Sequence, residues 1–354
     1  MRPPLVSVVV PTHGRAAMLP RLLASVLRQD VADLELLVVD DGSPDETQDV
    51  LARCADPRLR VLRHERPRGV AHARNTGTAA ARGRWVAWCD DDDVWDPAKL
   101  RLQLAALAAA PGALWSNGGS VYVDSDLHLT RVRRCPRPET VLADLLRVNV
   151  VTGGGSGVLA DRELALSLGG FDPALSMYAD WDLWARLAAA APLAVVDRPL
   201  VGYVEHDGGM SRGRLDLALS ELDLLAASLD RIGAAAGLTE RLDRLMLGQW
   251  VRRQQNGGRR WDNVLLPFRL LPHGLVEPSR AVPYALAGGL APQVLQRRWA
   301  RRWLLDEQYV AYAHRWLAEA RRDLPPLPRR LAPAATSAEG REVAGRPEPL
   351  SASG

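Results

Sequence analysis

Short apolar runs alternate with amphipathic, helix-like segments through the first 110 residues. Four runs rich in β-branched or aromatic residues are too short for helices, so they predict buried strands. The segments between them repeat apolar residues every three or four positions, which is typical of helices that cover a sheet. The predicted strands are Leu5–Val10, Leu34–Val39, Leu59–Leu62 and Arg84–Cys89, and the predicted helices are Ala16–Arg28, Asp45–Cys54, Val70–Ala81 and Lys99–Ala109. This order predicts the α/β class, with a doubly wound, mostly parallel sheet and right-handed crossovers.

The pattern is less regular after residue 110 and becomes helical after residue 211. Strands are expected within Ala113–Val123, Leu193–Val196 and Leu200–Val204, and helices at Asp161–Leu168, Asp180–Ala190, Leu215–Ile232 and Glu240–Gln255. The stretch Trp261–Pro292 is rich in proline and glycine and is expected to be irregular, whereas Gln293–Arg322 is expected to form a long basic helix. The sequence thus predicts an α/β domain over residues 1–211, a basic helical extension over 212–322 and a disordered tail over 323–354.

Charge is unevenly distributed along the 354 residues, whose net charge is +3. Residues 241–322 contain 15 arginines and 6 acidic residues, whereas the first 240 residues carry about −6. An acidic domain followed by a basic extension indicates two separate roles. The three cysteines are far apart and form no zinc pattern, and no signal peptide is recognisable. No run approaches the roughly 20 apolar residues needed to cross a bilayer. We therefore expect a cytoplasmic protein, either free or peripheral on the inner face of the membrane.

The main candidate for chemistry is the run of four aspartates, Asp90–Asp93, directly after the fourth predicted strand. Four adjacent carboxylates repel one another and are costly to hold without a cation. Carboxylate oxygens are the ligands that Mg²⁺ and Mn²⁺ prefer, although a solvated acidic turn is the alternative. Asp40 and Asp41 follow the second predicted strand, and Pro11 and Thr12 belong to the end of the first. All of them would lie at one edge of a parallel sheet, where they would define a cleft.

Arginines are expected close to the same edge. They are Arg15, Arg66, Arg68 and Arg74. Guanidinium groups together with a metal ion are suited to a diphosphate, whose charge must be neutralised during bond breaking. The residues alone therefore predict a divalent-metal site, for Mg²⁺ or Mn²⁺, that holds a phosphorylated ligand.

Seven short segments, in the same order along the chain, resemble the motifs of family 2 glycosyltransferases. They are Val6–Arg15, Val38–Ser43, Ala73–Gly77, Asp90–Pro97 with Lys99, Leu100 and Gln103 after it, Gly169–Asp172, Asp180–Trp184, and Tyr203 with His206. Each segment is short, but their common order over about residues 5–211 makes the resemblance specific. It implies a GT-A-like, nucleotide-diphospho-sugar transferase fold and an inverting, metal-dependent hexosyltransferase.

The resemblance also implies a role for individual residues. The nucleotide would be bound by Pro11, Thr12, Arg15, Asp40, Asp41, Arg74 and Asp91, with Thr12, Asp40 and Asp41 at the nucleobase, Arg74 at the phosphates and Asp91 near the ribose or the metal. Asp90 and Asp92 would be the paired acids of the metal motif, with Asp92 as the direct ligand. Asp180 would be the general base that removes the proton of the acceptor hydroxyl, and it should be partly solvated to stay ionised.

Four further side chains are candidates for the acceptor or donor-sugar side. They are Ser156 in the Gly-rich segment 152–157, Trp181, Asp182 and His206. Asp182 is the rival base, and Asp180 is also suited to cap the helix that follows it. Trp181 either stacks on a sugar ring or packs in the core, which is the safer role for Trp184. His206 either contacts the metal or diphosphate or is an ordinary surface histidine.

Two other functions remain open at this stage. The family commonly has Glu-Asp before the tryptophan where this chain has Ala179 and Asp180, so a catalytically inactive sugar-nucleotide-binding or scaffold protein is the alternative. A nucleotidyltransferase would also use paired aspartates, but it would need a glycine-rich, lysine-bearing loop that Thr12–Arg15 does not provide.

The expected partners follow from the resemblance and from the basic extension. The donor would be a nucleotide-diphosphate sugar, with UDP favoured over GDP and dTDP. The acceptor would be a glycan, a lipid-linked glycan or a small molecule, used in bacterial polysaccharide, glycolipid or glycosylated metabolite synthesis. The aromatic and basic residues within 241–322 are suited to plain packing, to an anionic membrane surface or to a partner protein. Nucleic acid is not expected, because no binding motif accompanies the charge.

Overall fold

The computed structural model describes residues 3–206, 215–248, 260–290 and 307–327. Its first part contains β1 (Val6–Thr12), α1 (Leu19–Leu27), β2 (Leu34–Asp40), α2 (Thr47–Ala52), β3 (Leu59–Arg63), α3 (Val70–Ala80) and β4 (Trp85–Trp88). Every strand and helix predicted in this part is confirmed, with ends shifted by at most three residues. All residues of β1 and β2 are buried, because apolar layers cover both faces of these parallel strands.

The second part of the domain adds shorter and less regular elements. They are β5 (Val94–Trp95), α4 (Lys99–Ala109), β6 (Trp115–Val123), β7 (Leu129–Arg133), α5 (Val141–Leu145), a 3₁₀ turn (Gly154–Gly157), β8 (Val158–Asp161), α6 (Arg162–Ser167), α7 (Ala179–Ala190) and β9 (Leu193–Val204). The two strands expected between residues 193 and 204 form the single strand β9, whose register with β6 shifts between Gly118 and Ser120. The sequence pattern did not predict β5, β7, β8 or α5, which are too short to show a periodic pattern.

The strands form one sheet in the order β3-β2-β1-β4-β8-β6-β9-β5, with β7 paired to β6. β1, β2, β3 and β4 pair in parallel. Beyond β4 the sheet is mixed, since β8 runs antiparallel to both β4 and β6, whereas β9 is parallel to β6. The α/β fold class is confirmed, and its parallel character is concentrated in the first half.

The strand order creates a switch point between β1 and β4. β1 pairs with β2 on one side and with β4 on the other, so the chain crosses back over β1 after β3. Ligand clefts in open α/β sheets form at such points, outside the carboxyl ends of the strands. This places the cleft next to Thr12, Asp40 and the aspartates that follow β4.

The C-terminal region is more helical than predicted. Its elements are α8 (Leu215–Ala235), α9 (residues 244–248), α10 (Arg260–Leu270), a 3₁₀ turn (Leu271–His273), α11 (Pro278–Leu290) and α12 (Glu307–Asp323). The prediction of an irregular stretch at Trp261–Pro292 was wrong, because α10 and α11 accommodate Pro267 and Pro283 within them. Burial of Leu266, Leu270 and Ala281 in the main core outweighs the low helix propensity of proline.

Several expectations for this region lie outside the described residues. The helix expected at Glu240–Gln255 is described only to residue 248, and the long basic helix only from Glu307 onward. The tail expected to be disordered is described only to residue 327. Among the described residues, no helix is long and apolar enough to cross a membrane.

The described C-terminal helices pack on the α/β domain. Leu222, Leu225 and Leu229 of α8 belong to the main core. On the other face of the sheet, α12 buries aromatic side chains against β6, β7 and β9. Trp316 Nε1 donates to the carbonyl of Pro199 at 3.0 Å. Packing is therefore the role of the buried aromatic face of α12.

Candidate active site

The cleft contains the ends of three neighbouring strands. Thr12 ends β1, Asp40 ends β2 and pairs with Thr12 in register, and the aspartate run begins two residues after β4. Thr12 Oγ1 donates to Asp91 Oδ2 at 2.7 Å, which joins the end of β1 directly to the run. The predicted meeting of these side chains at one sheet edge is therefore observed.

The four aspartates differ in exposure and partners. The side chains of Asp90 and Asp92 keep 24% and 14% of their surface exposed, whereas Asp91 and Asp93 are buried. Asp93 accepts from Ser156 Oγ at 2.6 Å and from the Val204 amide at 3.2 Å. Burial, and then the charges of Asp92 and Asp90, raise the pKa of Asp93 well above its usual range. Asp93 is thus an internal anchor, and Asp90 and Asp92 are the members open to a ligand.

Arg15 neutralises the middle of the run. Its Nη1 lies 2.7 Å from Asp91 Oδ1 and 2.6 Å from Asp92 Oδ2. His206 Nε2 also lies 3.0 Å from Asp92 Oδ2. Burial raises the pKa of Asp92, but the charge of Arg15 and the contact with His206 outweigh burial and lower this pKa to about 2. Asp92 therefore stays ionised at every physiological pH.

Arg74 neutralises the charge of Asp90, the first aspartate of the run. It projects from α3, is buried, and pairs with Asp90 through Nη2. Its guanidinium lies 5.0 Å from the ring centroid of Phe171, and its Nε has no partner among the described residues. A Cβ on Gly155 would lie 2.5 Å from Arg74 Nη2 and 2.9 Å from Asp90 Oδ1. Only glycine fits beside this pair.

Asp180 is partly exposed near Arg74 and Asp90. It is the second residue of α7, whose N-cap is Tyr178, so the capping role considered for Asp180 is not observed. Its Oδ1 accepts from the Trp181 amide at 2.6 Å. Burial raises the pKa of Asp180 to about 6, although the charge of Arg74 opposes the rise. A carboxylate with this pKa accepts a proton more readily than an ordinary aspartate and is still ionised at neutral pH.

Asp40 and Asp41 organise the loop on the donor side. Asp40 accepts from the Ser43 amide at 2.8 Å and is fully buried. Asp41 accepts from the amides of Arg68 and Gly69 at 2.7–3.0 Å, just before α3 begins. His64 Nδ1 lies 2.6 Å from Asp41 Oδ1. Both carboxylates therefore shape the cleft wall through backbone contacts, and this use of His64 was not predicted because a lone histidine carries no motif.

Three side chains predicted on the sugar side do not line the cleft. Trp181 is buried, packs against Tyr178 and donates from Nε1 to the Leu145 carbonyl at 2.7 Å. Asp182 is buried with Arg186 and accepts from Ser228 Oγ of α8 at 2.5 Å. Ser156 is also buried, and it accepts from the Asp90 amide at 2.9 Å in addition to donating to Asp93. All three support the site from within the core, as Trp184 does.

The acidic side chains suit a cation that arrives with a diphosphate. No group of three His, Cys, Asp or Glu side chains in the described parts of the chain is arranged to hold a metal ion. Mg²⁺ bound with phosphates needs only one or two protein carboxylates, because phosphate oxygens and waters complete its shell. Asp90 and Asp92 are open, and the buried Nδ1 of His206 has no partner within the described residues. The residues present thus fit such a cation in number and kind.

The sequence and the fold of this chain are similar to those of known proteins. The family model "Glycosyl transferase family 2" matches residues 7–165. The succinoglycan biosynthesis protein ExoO of Rhizobium meliloti (strain 1021) is 32% identical over 236 residues, which cover 64% of this chain and 67% of ExoO. WfgD of Escherichia coli, named UDP-Glc:alpha-D-GlcNAc-diphosphoundecaprenol beta-1,3-glucosyltransferase, is 38% identical over 103 residues, which cover 29% of this chain and 41% of WfgD.

Among solved structures, S. aureus TarS residues 1–349 in complex with UDP-GlcNAc has a TM-score of 0.54 at 18% identity. The match covers 84% of this chain and 91% of the TarS chain. At this identity the likeness shows the fold alone.

Proposed function

This chain belongs to glycosyl transferase family 2 and is a glycosyltransferase, and from this premise we propose that it moves a sugar from a nucleotide-diphosphate donor to an acceptor hydroxyl in bacterial polysaccharide synthesis. The names of two similar proteins support this choice. WfgD uses UDP-glucose and a diphosphoundecaprenol-linked acceptor by its name, and TarS was solved with UDP-GlcNAc. We therefore favour a UDP-sugar as donor and a lipid-linked glycan as acceptor.

The observation that carries the proposal is the position of Asp180 beside the Arg74–Asp90 pair. In an inverting transfer, the acceptor oxygen forms the new bond to the anomeric carbon while the bond to the diphosphate oxygen breaks on the opposite face. Asp180 takes the proton of the acceptor hydroxyl as that bond forms. Its raised pKa is suited to this task, because the carboxylate is ionised at neutral pH and yet basic enough to accept the proton.

The leaving diphosphate, on the face opposite the acceptor, needs positive charge close to it. Arg74 and Arg15 are held in the cleft by Asp90, Asp91 and Asp92, so their guanidiniums are already oriented when the donor binds. A divalent cation, held by Asp90 and Asp92, would supply further charge at the leaving diphosphate. Thr12 keeps Asp91 in place at the strand end, and we assign the nucleoside to the cleft over β1 and β2.

A binding experiment tests the proposal directly. Titration calorimetry of the protein with UDP, GDP and dTDP, each with and without Mn²⁺, should give metal-dependent binding of one nucleotide. Asp92→Ala should remove this binding, whereas Asp223→Ala, an exposed acid on α8, should not change it. Absence of binding to all three nucleotides by the folded protein would instead support the inactive scaffold.

We also propose that the protein contacts a membrane surface peripherally through its C-terminal helices. Four large apolar side chains of α10 and α11 are 43–59% exposed: Leu265, Phe268, Val282 and Leu286. They are three or four residues apart on their helices, which puts each pair on one helical face. Together with the net positive charge of residues 241–322, this arrangement suits an anionic bilayer that carries a lipid-linked acceptor.

A further inference from the structure

A row of three side chains crosses β7, β6 and β9 next to the aspartate run. Tyr122 of β6 pairs in register with Arg131 of β7 on one side and with Tyr203 of β9 on the other. Side chains of directly paired residues point to the same face of a sheet. Their neighbours in sequence, including Val121 and Val204, are buried beneath α12 on the opposite face. The row therefore points away from α12.

The three side chains contact one another and are only partly buried. The rings of Tyr122 and Tyr203 are 5.1 Å apart and inclined at 48°. The guanidinium of Arg131 lies 3.7 Å from the ring centroid of Tyr122, and its Nη2 lies 2.7 Å from Glu205 Oε1. The row thus combines two partly buried aromatic rings with a cation and an anion that are paired at one end.

The other end of the row adjoins the reaction centre. A Cβ on Gly154 would lie 3.6 Å from the Tyr203 ring and 3.9 Å from Asp90 Oδ2. Gly154 therefore lies between the Tyr203 ring and the Asp90 carboxylate. On the sheet, β6 and β9 lie beyond β4 and β8, on the side away from β1 and β2. The row is thus on the opposite side of Asp90 from the loops of Asp40 and Asp41.

We propose that Tyr122, Tyr203, Arg131 and Glu205 form the acceptor subsite, and that they bind a sugar ring of the acceptor glycan. This inference rests on the proposed transferase function. A tyrosine ring offers an apolar face to the C–H side of a sugar, with low loss of side-chain freedom. Arg131 would donate hydrogen bonds to sugar hydroxyls, and Glu205 would accept hydrogen bonds from them. Small-molecule sites typically combine aromatic walls with a few polar groups in this way. A nucleobase also stacks on tyrosine, but the proposed function assigns the nucleoside to the cleft over β1 and β2.

Saturation-transfer NMR with simple sugars tests the subsite without knowledge of the natural acceptor. The probes are the methyl β-glycosides of glucose, galactose, mannose and N-acetylglucosamine, added to the protein with UDP and Mn²⁺. At least one glycoside should receive saturation from the tyrosine rings. Tyr203→Ala and Tyr122→Ala should each weaken its binding about tenfold. Tyr203→Phe should retain binding, because the ring face and not the hydroxyl makes the contact.

Tyr284→Ala, a partly buried tyrosine on α11, is the matched control and should bind the glycoside as the wild type does. The proposal is overturned if no glycoside binds, if the alanine variants bind as well as the wild type, or if Tyr203→Phe loses binding too. Calorimetry with UDP shows whether each variant is folded with an intact donor site, independently of glycoside binding. Variants that bind UDP and glycoside as the wild type does would refute only the subsite, whereas a folded wild type that binds none of UDP, GDP and dTDP would refute the proposed sugar transfer.

Discussion

Asp180 and Asp182 are two residues apart on α7 and have opposite surroundings. Asp180 is partly exposed beside Arg74, whereas Asp182 is buried with Arg186 and Ser228. Asp180→Asn should lower the rate of transfer about 10²–10⁴-fold, because the amide cannot accept the proton, while nucleotide binding by calorimetry remains. Asp182→Ala should instead reduce the free energy of unfolding by about 3 kcal/mol in denaturant titration, since it removes the ion pair with Arg186 and the partner of the buried Ser228 hydroxyl. If Asp182→Ala is stable but inactive, the base is Asp182.

The pH dependence of transfer provides an independent test of Asp180. Its pKa is raised to about 6, and only the deprotonated form can act as the base. The ratio kcat/KM, which reports the free enzyme, should therefore rise with pH and reach half of its plateau near pH 6. An acid limb near pH 4 would mean that the base has an ordinary carboxylate pKa and would point to another residue. Calorimetric titrations with UDP at pH 5 and pH 7 separate this effect from a loss of donor binding.

The sequence predicted which residues meet at the strand ends, but it did not predict the orientation of each side chain. The aspartate run, Thr12, Arg15 and Arg74 come together because their places at the ends of strands follow from the alternation of apolar runs. The inward direction of Trp181 depends on the positions of α5 and α8, which pack against α7 and have no local signal near residue 181. The assignment of Asp182 failed for the same reason.

At the scale of elements, the 3₁₀ turn at residues 154–157 brings backbone against the Arg74–Asp90 pair. Gly155→Ala should displace this pair, because the new Cβ would lie within 3 Å of both side chains. We expect at least a tenfold loss of transfer and weaker nucleotide binding, measured by a transfer assay and calorimetry. Gly233→Ala on α8, where the new Cβ would lie nearest to Leu146 at 3.1 Å and to the Leu238 carbonyl at 3.7 Å, should keep both properties. Normal activity of Gly155→Ala would show that Arg74 need not hold its observed position.

Strands and helices were predicted correctly where burial on both faces requires a continuous apolar run. They were predicted wrongly where tertiary contacts determine the secondary structure. β1 and β2 are continuous apolar runs, so both were found within two residues. α10 and α11 contain prolines and were taken as irregular, yet they pack against each other and bury Leu270 and Ala285. Propensity is a weak guide when such contacts are present.

At the scale of the molecule, the helices beyond residue 211 are joined to the α/β domain by shared cores. α8 and α10 contribute to the main core, and α12 covers the face of β6, β7 and β9. α10 and α12 lie within residues 241–354, so removal of those residues would expose the core surfaces that these two helices cover. The exposed apolar side chains of α10 and α11 remain as the face proposed for a membrane.

Vesicle co-sedimentation tests that face. The protein should sediment with phosphatidylglycerol vesicles more strongly than with phosphatidylcholine vesicles, and binding should weaken at high salt because basic residues contribute. Replacing Phe268 and Leu286 together by serine should reduce binding severalfold, since both are exposed. Leu166→Ser, an exposed leucine on α6, is the control. Equal binding by the double variant would assign the apolar face to another partner.

The guanidiniums of Arg15 and Arg74 already form ion pairs with three of the four aspartates within the folded chain. Folding therefore does not have to wait for a metal ion, in contrast to proteins whose acidic or thiolate clusters are held together by the metal itself. Under the metal dependence proposed above, protein newly made in a cell short of divalent cations should accumulate folded but inactive instead of being degraded. Glycan synthesis would then resume as soon as the ion returned, with no delay for new translation.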